Sequence, residues 1–381
     1  MLGVLIYLPT IAHIPYAFFL IAILYLVIKK NKLKINANLK VIFLIIFFTL
    51  INRLIFIDNH IFVGEKESIL SFIIPGSIFL LATYYVAQYL SRKDINILLF
   101  LITFEAIVVI IEFKLGITTF FTGLDRYKEI SATNELLLYF FRPMGLSENS
   151  SIAAGKIFLG LLLLHYNKNY LGKYTKFTIF VILIIALIMT FNRTALVATG
   201  LFYMMLLLKF YFASSNKERI ARHLFYKFIV ALFVAVAMAY CYIYLFDDIL
   251  LQFERGGNAD ILTGRGAIWH SFFLFIQDHF IFGNGSYKIY LPFFHGGWTF
   301  AHAHNSYLEV LAMHGIAIAL IYAYLILRNI NRYNLVYVLP MFVFSLTQYF
   351  IGWNISLQDI ILFYFLIHIK KRWDVDEAVN Q

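Results

Sequence analysis

Apolar runs of about twenty residues, separated by short polar and basic segments, recur along the whole 381-residue chain. A helix needs a run of that length to cross a hydrocarbon core of ~30 Å. The runs predict about eleven spans, near Val4–Ile28, Leu39–Ile57, Ile69–Leu90, Ile95–Glu112, Ser151–Tyr166, Phe177–Phe191, Thr194–Phe212, Phe225–Phe246, Asn305–Leu327, Leu335–Ile351 and Ile355–Ile369. Several are short enough to be tilted or partly re-entrant. Two connections are long, about Phe113–Ser150 and Asp247–His304. Structureless connections beyond ~12–15 residues are usually functional or disordered, and these two are too aromatic for disorder. The second contains AIWHSFFLFIQDHFIF, an amphipathic piece suited to lie flat in a membrane interface. The expected fold is an all-α integral membrane protein, a single polytopic domain over residues 1–381, with a large loop that holds short amphipathic helices. No internal repeat or separate soluble domain is evident.

Composition removes the soluble alternative. Hydrophobic residues make up 62% of the chain and charged residues 14%, with a mean hydropathy of +0.80. A soluble chain is about one-quarter charged. The lone cysteine, Cys241, lies in an apolar run, so it builds neither a disulfide framework nor a thiolate metal cluster.

The formal charge of +10 could suggest a nucleic-acid partner, but the positions of the charges point elsewhere. The first run lacks a basic leader and a small-residue cleavage site, and Lys29, Lys30, Lys32 and Lys34 follow it. That predicts a retained helix whose N-terminus lies outside. With this orientation most of the 31 lysines and arginines fall in short cytoplasmic segments, as the positive-inside rule requires. The charge is then mostly a topology signal, and no nucleic acid is implied.

The residue types also divide. The predicted inner set is mostly lysine, whereas the outer set includes Arg53, Arg126, Arg142, Arg193, Arg255 and Arg265, with Lys66, Lys114, Lys128, Lys156 and Lys288. Arginine is the better planar, bidentate ligand for phosphate and diphosphate. A phosphorylated lipid would explain arginines on the side that the rule depletes.

Arg193 stands in FNRTALVATG, between two apolar runs with almost no loop. It either marks a tight turn capped by Asn192 or faces a wet cavity as a functional cation. Arg265 stands in TGRGAIW, with glycines that permit close backbone approach and Trp269 one turn on, suited to stack on a sugar face. The alternative is an interfacial helix start with a belt tryptophan. His295, His302, His304 and His314 invite a metal reading, but no HExxH or comparable carboxylate pattern completes a site. His304 followed by Asn305 at a helix mouth reads as a general base or hydrogen-bond donor, or else as a plain cap. Glu309, further into that helix, could orient His304 or a substrate hydroxyl. His13 and Glu105 read as core polar groups.

These residues resemble the O-antigen ligase/polymerase superfamily of polytopic membrane proteins. FNRTALVATG is similar to the family's short (S/N)RTA segment opening a helix, and TGRGAIW to its arginine-bearing segment early in the large periplasmic loop. His304–Asn305, then nine residues, then Gly315 fits its histidine-to-glycine pattern, departing at Ile318, where ligases prefer Gly, Thr or Tyr. RPMGLSENSSIAAG, with Arg142 and Asn149, resembles a further family stretch.

The resemblance implies a GT-C-like fold in the bacterial inner membrane, with the N-terminus periplasmic, the C-terminus cytoplasmic and the reacting face in the periplasm. It implies transfer of a glycan from undecaprenyl diphosphate without metal or other cofactor. Arg193, Arg265 and His304 are the expected catalytic residues, and Arg142, Asn149, Trp269, Asn305 and Glu309 the expected substrate contacts. Expected partners are the lipid-linked oligosaccharide, membrane lipid, a chain-length regulator and a flippase. The favoured activity is a Wzy-type polymerase extending another lipid-linked repeat unit. A ligase that delivers the glycan to lipid A–core, or a polysaccharide flippase, are the alternatives.

Overall fold

A computed structural model describes residues 1–14, 17–29, 35–56, 76–119, 142–167, 171–212, 265–294, 298–348, 350–352 and 356–379. These residues form helices α1 (Leu2–Tyr7), α2 (Ala17–Ile28), α3 (Ala37–Ile55), α4 (Gly76–Tyr89), α5 (Arg92–Leu115), α6 (Ser150–Tyr166), α7 (Lys173–Met189), α8 (Arg193–Phe212) and α9 (Arg265–Asp278). A two-stranded antiparallel hairpin follows, β1 (Leu291–Phe294) and β2 (Trp298–Ala301), and then α10 (Ser306–Leu327), α11 (Leu335–Ser345) and α12 (Leu357–Val379). The protein is mostly helical and membrane-embedded. Three described helices, α3, α5 and α10, are long and apolar enough to cross a bilayer. The expected span at Phe225–Phe246, the residues Cys241, Arg126, Arg255 and His295, and much of both long connections lie outside the described residues.

The first apolar run is not one helix. It folds as α1, a 3₁₀ turn over Leu8–Thr10, and α2, with His13 between them in a left-handed conformation and exposed. Pro9 explains the end of α1, since proline lacks the amide that a continuous helix would use. His13 is therefore not the core residue expected. The Met1 ammonium lies 3.3 Å from Asp94 Oδ1, and the Gly3 amide donates to the same oxygen. The N-terminus thus sits at the end of α5 that carries Arg92 and Lys93. The single pass expected from Val4 to Ile28 would have put it at the opposite end.

Polar contacts tie the other helices to that end. Asn36 pairs with Tyr84, Asn38 with Asn329, Asn96 with Asn167, and His368 with the Ala87 carbonyl. The described lysine-rich segments are therefore neighbours, and the segments that bear Arg53, Arg142, Arg193 and Arg265 lie at the other end.

Inside the bundle, Lys156 and Glu105 form an ion pair at 2.7 Å, and both side chains are 0% exposed. Tyr7 and Ser147 donate their hydroxyls to the Glu105 carboxylate, and Lys156 donates to the Thr10 carbonyl. The expectation for Glu105 as a satisfied core group holds, whereas Lys156 is not the outer cation expected. Glu112 accepts from the Gly145 amide at 2.7 Å. The two carboxylates of α5 thus hold the backbone of residues 145–147, which follows Arg142.

Helix α10 breaks at Gly315, where φ is +74° and ψ 175°, a combination open essentially to glycine alone. The turn over residues 280–287 fills the break. The Ile316 amide donates to the Phe280 carbonyl, Asn284 N–H to the Ala312 carbonyl and Ser286 N–H to the Met313 carbonyl. A Cβ on Gly315 would lie 2.0 Å from the Ile281 carbonyl oxygen. Buried backbone groups need partners, and here one turn supplies them to a broken spanning helix. Arg53 at the end of α3 clamps that turn. Its guanidinium donates to the Ser286 carbonyl and stacks 4.6 Å from the Tyr287 ring centre.

Candidate functional site

The site lies at the arginine-bearing end, where α9, the hairpin and the start of α10 share a small hydrophobic core. Phe272, Phe275, Ile289, Leu291, Ala303 and Leu308 pack there, separate from the core of the bundle. Arg265 is the first residue of α9. One turn later the half-buried Trp269 directs its ring nitrogen to the Ala303 carbonyl at 2.9 Å. Trp269 is thereby committed along one edge to the loop that carries the histidines.

That loop is held from below. Glu309, 1% exposed, accepts the Ala303 amide at 2.8 Å through Oε2, and its Oε1 has no hydrogen-bond partner among the described residues. Asn305 caps α10, its side-chain oxygen accepting from the Tyr307 and Leu308 amides. Between these two anchors His304 is forced into a left-handed backbone, with φ +49°. Its amide donates to His302 Nδ1 at 3.3 Å, and the two imidazole centres are 3.9 Å apart. Because Nδ1 of His302 accepts, the proton of the neutral ring belongs on Nε2.

Burial, reinforced by His304, Lys288 and Arg265, pushes His302 down to about 3. Burial and Arg265 push His304 down to about 4. Both rings are neutral near pH 7, and Arg265 is close enough to act on both. Two imidazoles alone do not make a metal centre, and among the described residues no group of three or more metal-ligating side chains forms.

Arg193 reaches the same end by another route. It opens α8, behind Asn192, whose side chain accepts from the Ala195 amide. The neighbouring Thr194 hydroxyl pairs with that of Thr347 at 2.5 Å. The following Gln348 carbonyl accepts from Ser306, whose oxygen in turn accepts the Phe350 and Ile351 amides. Residues 347, 348, 350 and 351 thus join the first turn of α8 to the first turn of α10, next to His304. The run expected to span Leu335–Ile351 ends as a helix at Ser345, and this stretch is a junction instead.

Arg142 and Asn149 flank the segment pinned by α5, and the Asn149 side chain caps α6 by accepting from the Ile152 amide. Of the expected substrate contacts, Asn149 and Asn305 are engaged as caps and Glu309 as a support beneath the histidine loop.

Residues 178–323 match the family described as O-antigen ligase. That match supports the O-antigen ligase/polymerase superfamily. Its members are glycosyltransferase-like enzymes that act on lipid-linked glycans. No curated protein and no solved structure matches the chain. The matched stretch holds Arg193, Arg265, His304 and Gly315. The superfamily's histidine-to-glycine spacing acquires a physical reading here: the histidine opens α10, and the glycine permits the break that the 280–287 turn occupies. Ile318, the departure from the ligase pattern, is 4% exposed within the bundle core below that break.

Four contributors escaped the sequence. His302 was visible only as one of several histidines, and its pairing with His304 depends on the left-handed turn. Thr347 and Ser306 carry no signal, because their partners are far along the chain. Arg53, grouped with the outer arginines, is occupied in clamping the 280–287 turn.

Proposed function

We propose that the protein is an O-antigen polymerase of the bacterial inner membrane, working at its periplasmic face. It would move a glycan from undecaprenyl diphosphate to the non-reducing-end sugar of another lipid-linked repeat unit. The observation that carries this reading is the meeting of Arg265 with the paired His302 and His304 at the mouth of α10, at the end of the bundle opposite the lysine-rich segments.

In the proposed step Arg265 and Arg193 bind the donor diphosphate. The acceptor hydroxyl attacks the anomeric carbon, its proton passes to His304, and the glycosyl–oxygen bond to the diphosphate breaks. Fixed cations facing the departing charge can be the largest catalytic term, and general-base assistance adds ~10²–10⁴-fold. Burial and the Arg265 charge make His304 a weak base. A bound diphosphate offsets Arg265, raises the basicity of His304 and so couples the base to donor occupancy. Arg142 and Trp269 are proposed to contact the glycan, and a chain-length regulator and a flippase are the proposed partners.

The test is a deletion strain complemented with the wild-type gene. A polymerase leaves single-repeat lipopolysaccharide when deleted. Loss of all capped core, with accumulation of lipid-linked polymer, would transfer the assignment to a ligase. Purified protein with lipid-linked repeat units must also lengthen glycan on a gel, which a flippase would not do.

The same assay checks pH dependence. His304 is competent when neutral, and its depressed value near 4 extends the neutral form toward acid. For donor-free enzyme, kcat/KM should stay flat from pH 8 to about pH 5.5 and fall as pH approaches about 4. A fall centred near the ordinary histidine value of ~6.5 would remove His304 from the role of buried base.

A further inference from the structure

Lys288 is the only lysine, arginine, aspartate or glutamate between Asp278 and Glu309. Residues 287–291 carry the chain from the 280–287 turn into β1 with a two-residue period. Tyr287, Ile289 and Leu291 are buried, whereas Lys288 is exposed and Tyr290 half-buried. Alternation of that kind puts Lys288 and Tyr290 on one side of the segment. The buried set is fixed twice. Ile289 belongs to the small core of α9 and the hairpin, and the Tyr287 ring stacks with Arg53. Lys288 is therefore presented outward from a backbone that packing holds in place.

Its surroundings form a row. The Lys288 ammonium lies 5.0 Å from the centre of the Tyr290 ring. That ring meets His302 edge to face at 6.4 Å, and His302 lies 3.9 Å from His304. Arg265 acts on both imidazoles, whereas Lys288 acts on His302 and not on His304. The lysine thus stands at the His302 end of the row. The Tyr290 face holds the ammonium by a cation–π contact without satisfying its three hydrogen-bond donors. Among the described residues that ammonium makes no hydrogen bond or ion pair. Glu309, the carboxylate its charge reaches, is buried below the loop and already accepts the Ala303 amide.

We propose that Lys288 is a further donor-binding residue, which takes one phosphate of the lipid diphosphate at the His302 end of the row while Arg265 takes the other. Neutral imidazoles between two cations leave a site whose charge suits a diphosphate better than a monophosphate. The two cations divide the work by their chemistry. The arginine offers a planar fork of fixed geometry, and the lysine a compact charge whose three donors turn to meet an oxygen. The role also gives a reason for a lone exposed lysine at the end of the bundle away from the lysine-rich segments. It rests on the reading that the donor is a lipid diphosphate, which polymerase and ligase share, so a change of acceptor leaves it intact.

The test measures binding of undecaprenyl diphosphate and undecaprenyl monophosphate, neither carrying glycan, to full-length protein in detergent by native mass spectrometry. Wild type should prefer the diphosphate. Lys288→Gln should weaken the diphosphate roughly 10-fold, as loss of one charge-assisted hydrogen bond does, and leave the monophosphate unchanged. Lys288→Arg should keep the preference. Lys114→Gln removes an exposed lysine from the last turn of α5, at the same end of the bundle, and should alter neither affinity. Unfolding midpoints at the wild-type value establish that each variant is folded. Diphosphate binding lost in Arg265→Ala but kept in Lys288→Gln would overturn the proposal and leave the donor reading standing. Wild type without a preference for the diphosphate would overturn both. An equal loss in Lys114→Gln would overturn the proposal by reducing the effect to general surface charge. Unchanged undecaprenyl diphosphate binding in Lys288→Gln, with weaker binding of the full lipid-linked repeat unit, would also overturn it, by assigning the lysine to the glycan.

Discussion

Alanine at position 265 is expected to slow glycan transfer by about 10²–10³-fold, the usual loss when one fixed stabiliser of developing charge is removed. The reason is local. Arg265 opens α9 and is one of the charges that depress both His302 and His304. Removing it takes away the proposed diphosphate ligand and relieves the imidazoles of a neighbouring cation. Two changes should therefore appear together: a fall in kcat, and a shift of the acid limb of the pH profile upward from about 4. Lysine at 265 should restore the position of the acid limb, because the charge returns, and recover only part of the rate, because the bidentate fork does not. His304→Ala and Arg193→Ala should likewise stop chain extension while membrane expression persists. Long polysaccharide in the Arg265, Arg193 and His304 variants alike would defeat the site, and an unmoved acid limb in Arg265→Ala would remove its electrostatic role.

The second large effect concerns stability. Lys156→Met removes the partner of a fully buried carboxylate, and breaking a buried pair from one side costs about 3–5 kcal/mol. Glu105 would keep its hydroxyl donors from Tyr7 and Ser147, but it would lose the cation 2.7 Å away. Adding Glu105→Gln to Lys156→Met should recover most of the loss, since replacing both members of a buried pair is often neutral. The measurement is the unfolding midpoint in detergent across the four-member cycle. Were Lys156→Met to melt with the wild type, the pair could not be what holds α5 to α6. Because Ser147 belongs to the segment after Arg142, the single variant should also lower activity, and the double variant should restore stability before it restores rate.

Parts of this site could be read from single segments. FNRTALVATG announces a helix opened by an arginine, and α8 begins at Arg193. TGRGAIW announces another, and α9 begins at Arg265. His304–Asn305 reads as a helix mouth, and the Asn305 cap is where that reading puts it. Each prediction needed only the residue and its near neighbours, because capping and apolar length act over a few positions. The first run shows where that logic stops. Its mean apolarity suited one span, and the chain breaks at Leu8–Thr10 instead, where Pro9 has no amide to continue α1.

The sequence by itself determined a helical, membrane-embedded protein, its separation of lysines from arginines along the chain, and the starts of the helices that bear Arg193, Arg265 and His304. Only the tertiary structure decided that Glu105 meets Lys156, that His302 pairs with His304, that residues 280–287 fill the break at Gly315, and that Thr347 and Ser306 bring the starts of α8 and α10 together. Helix formation and burial follow from local composition, through backbone hydrogen bonding within each segment and the transfer of apolar surface. The other contacts join groups that are distant in sequence or depend on a turn held by such groups, and nothing in either partner names the other until the helices have packed.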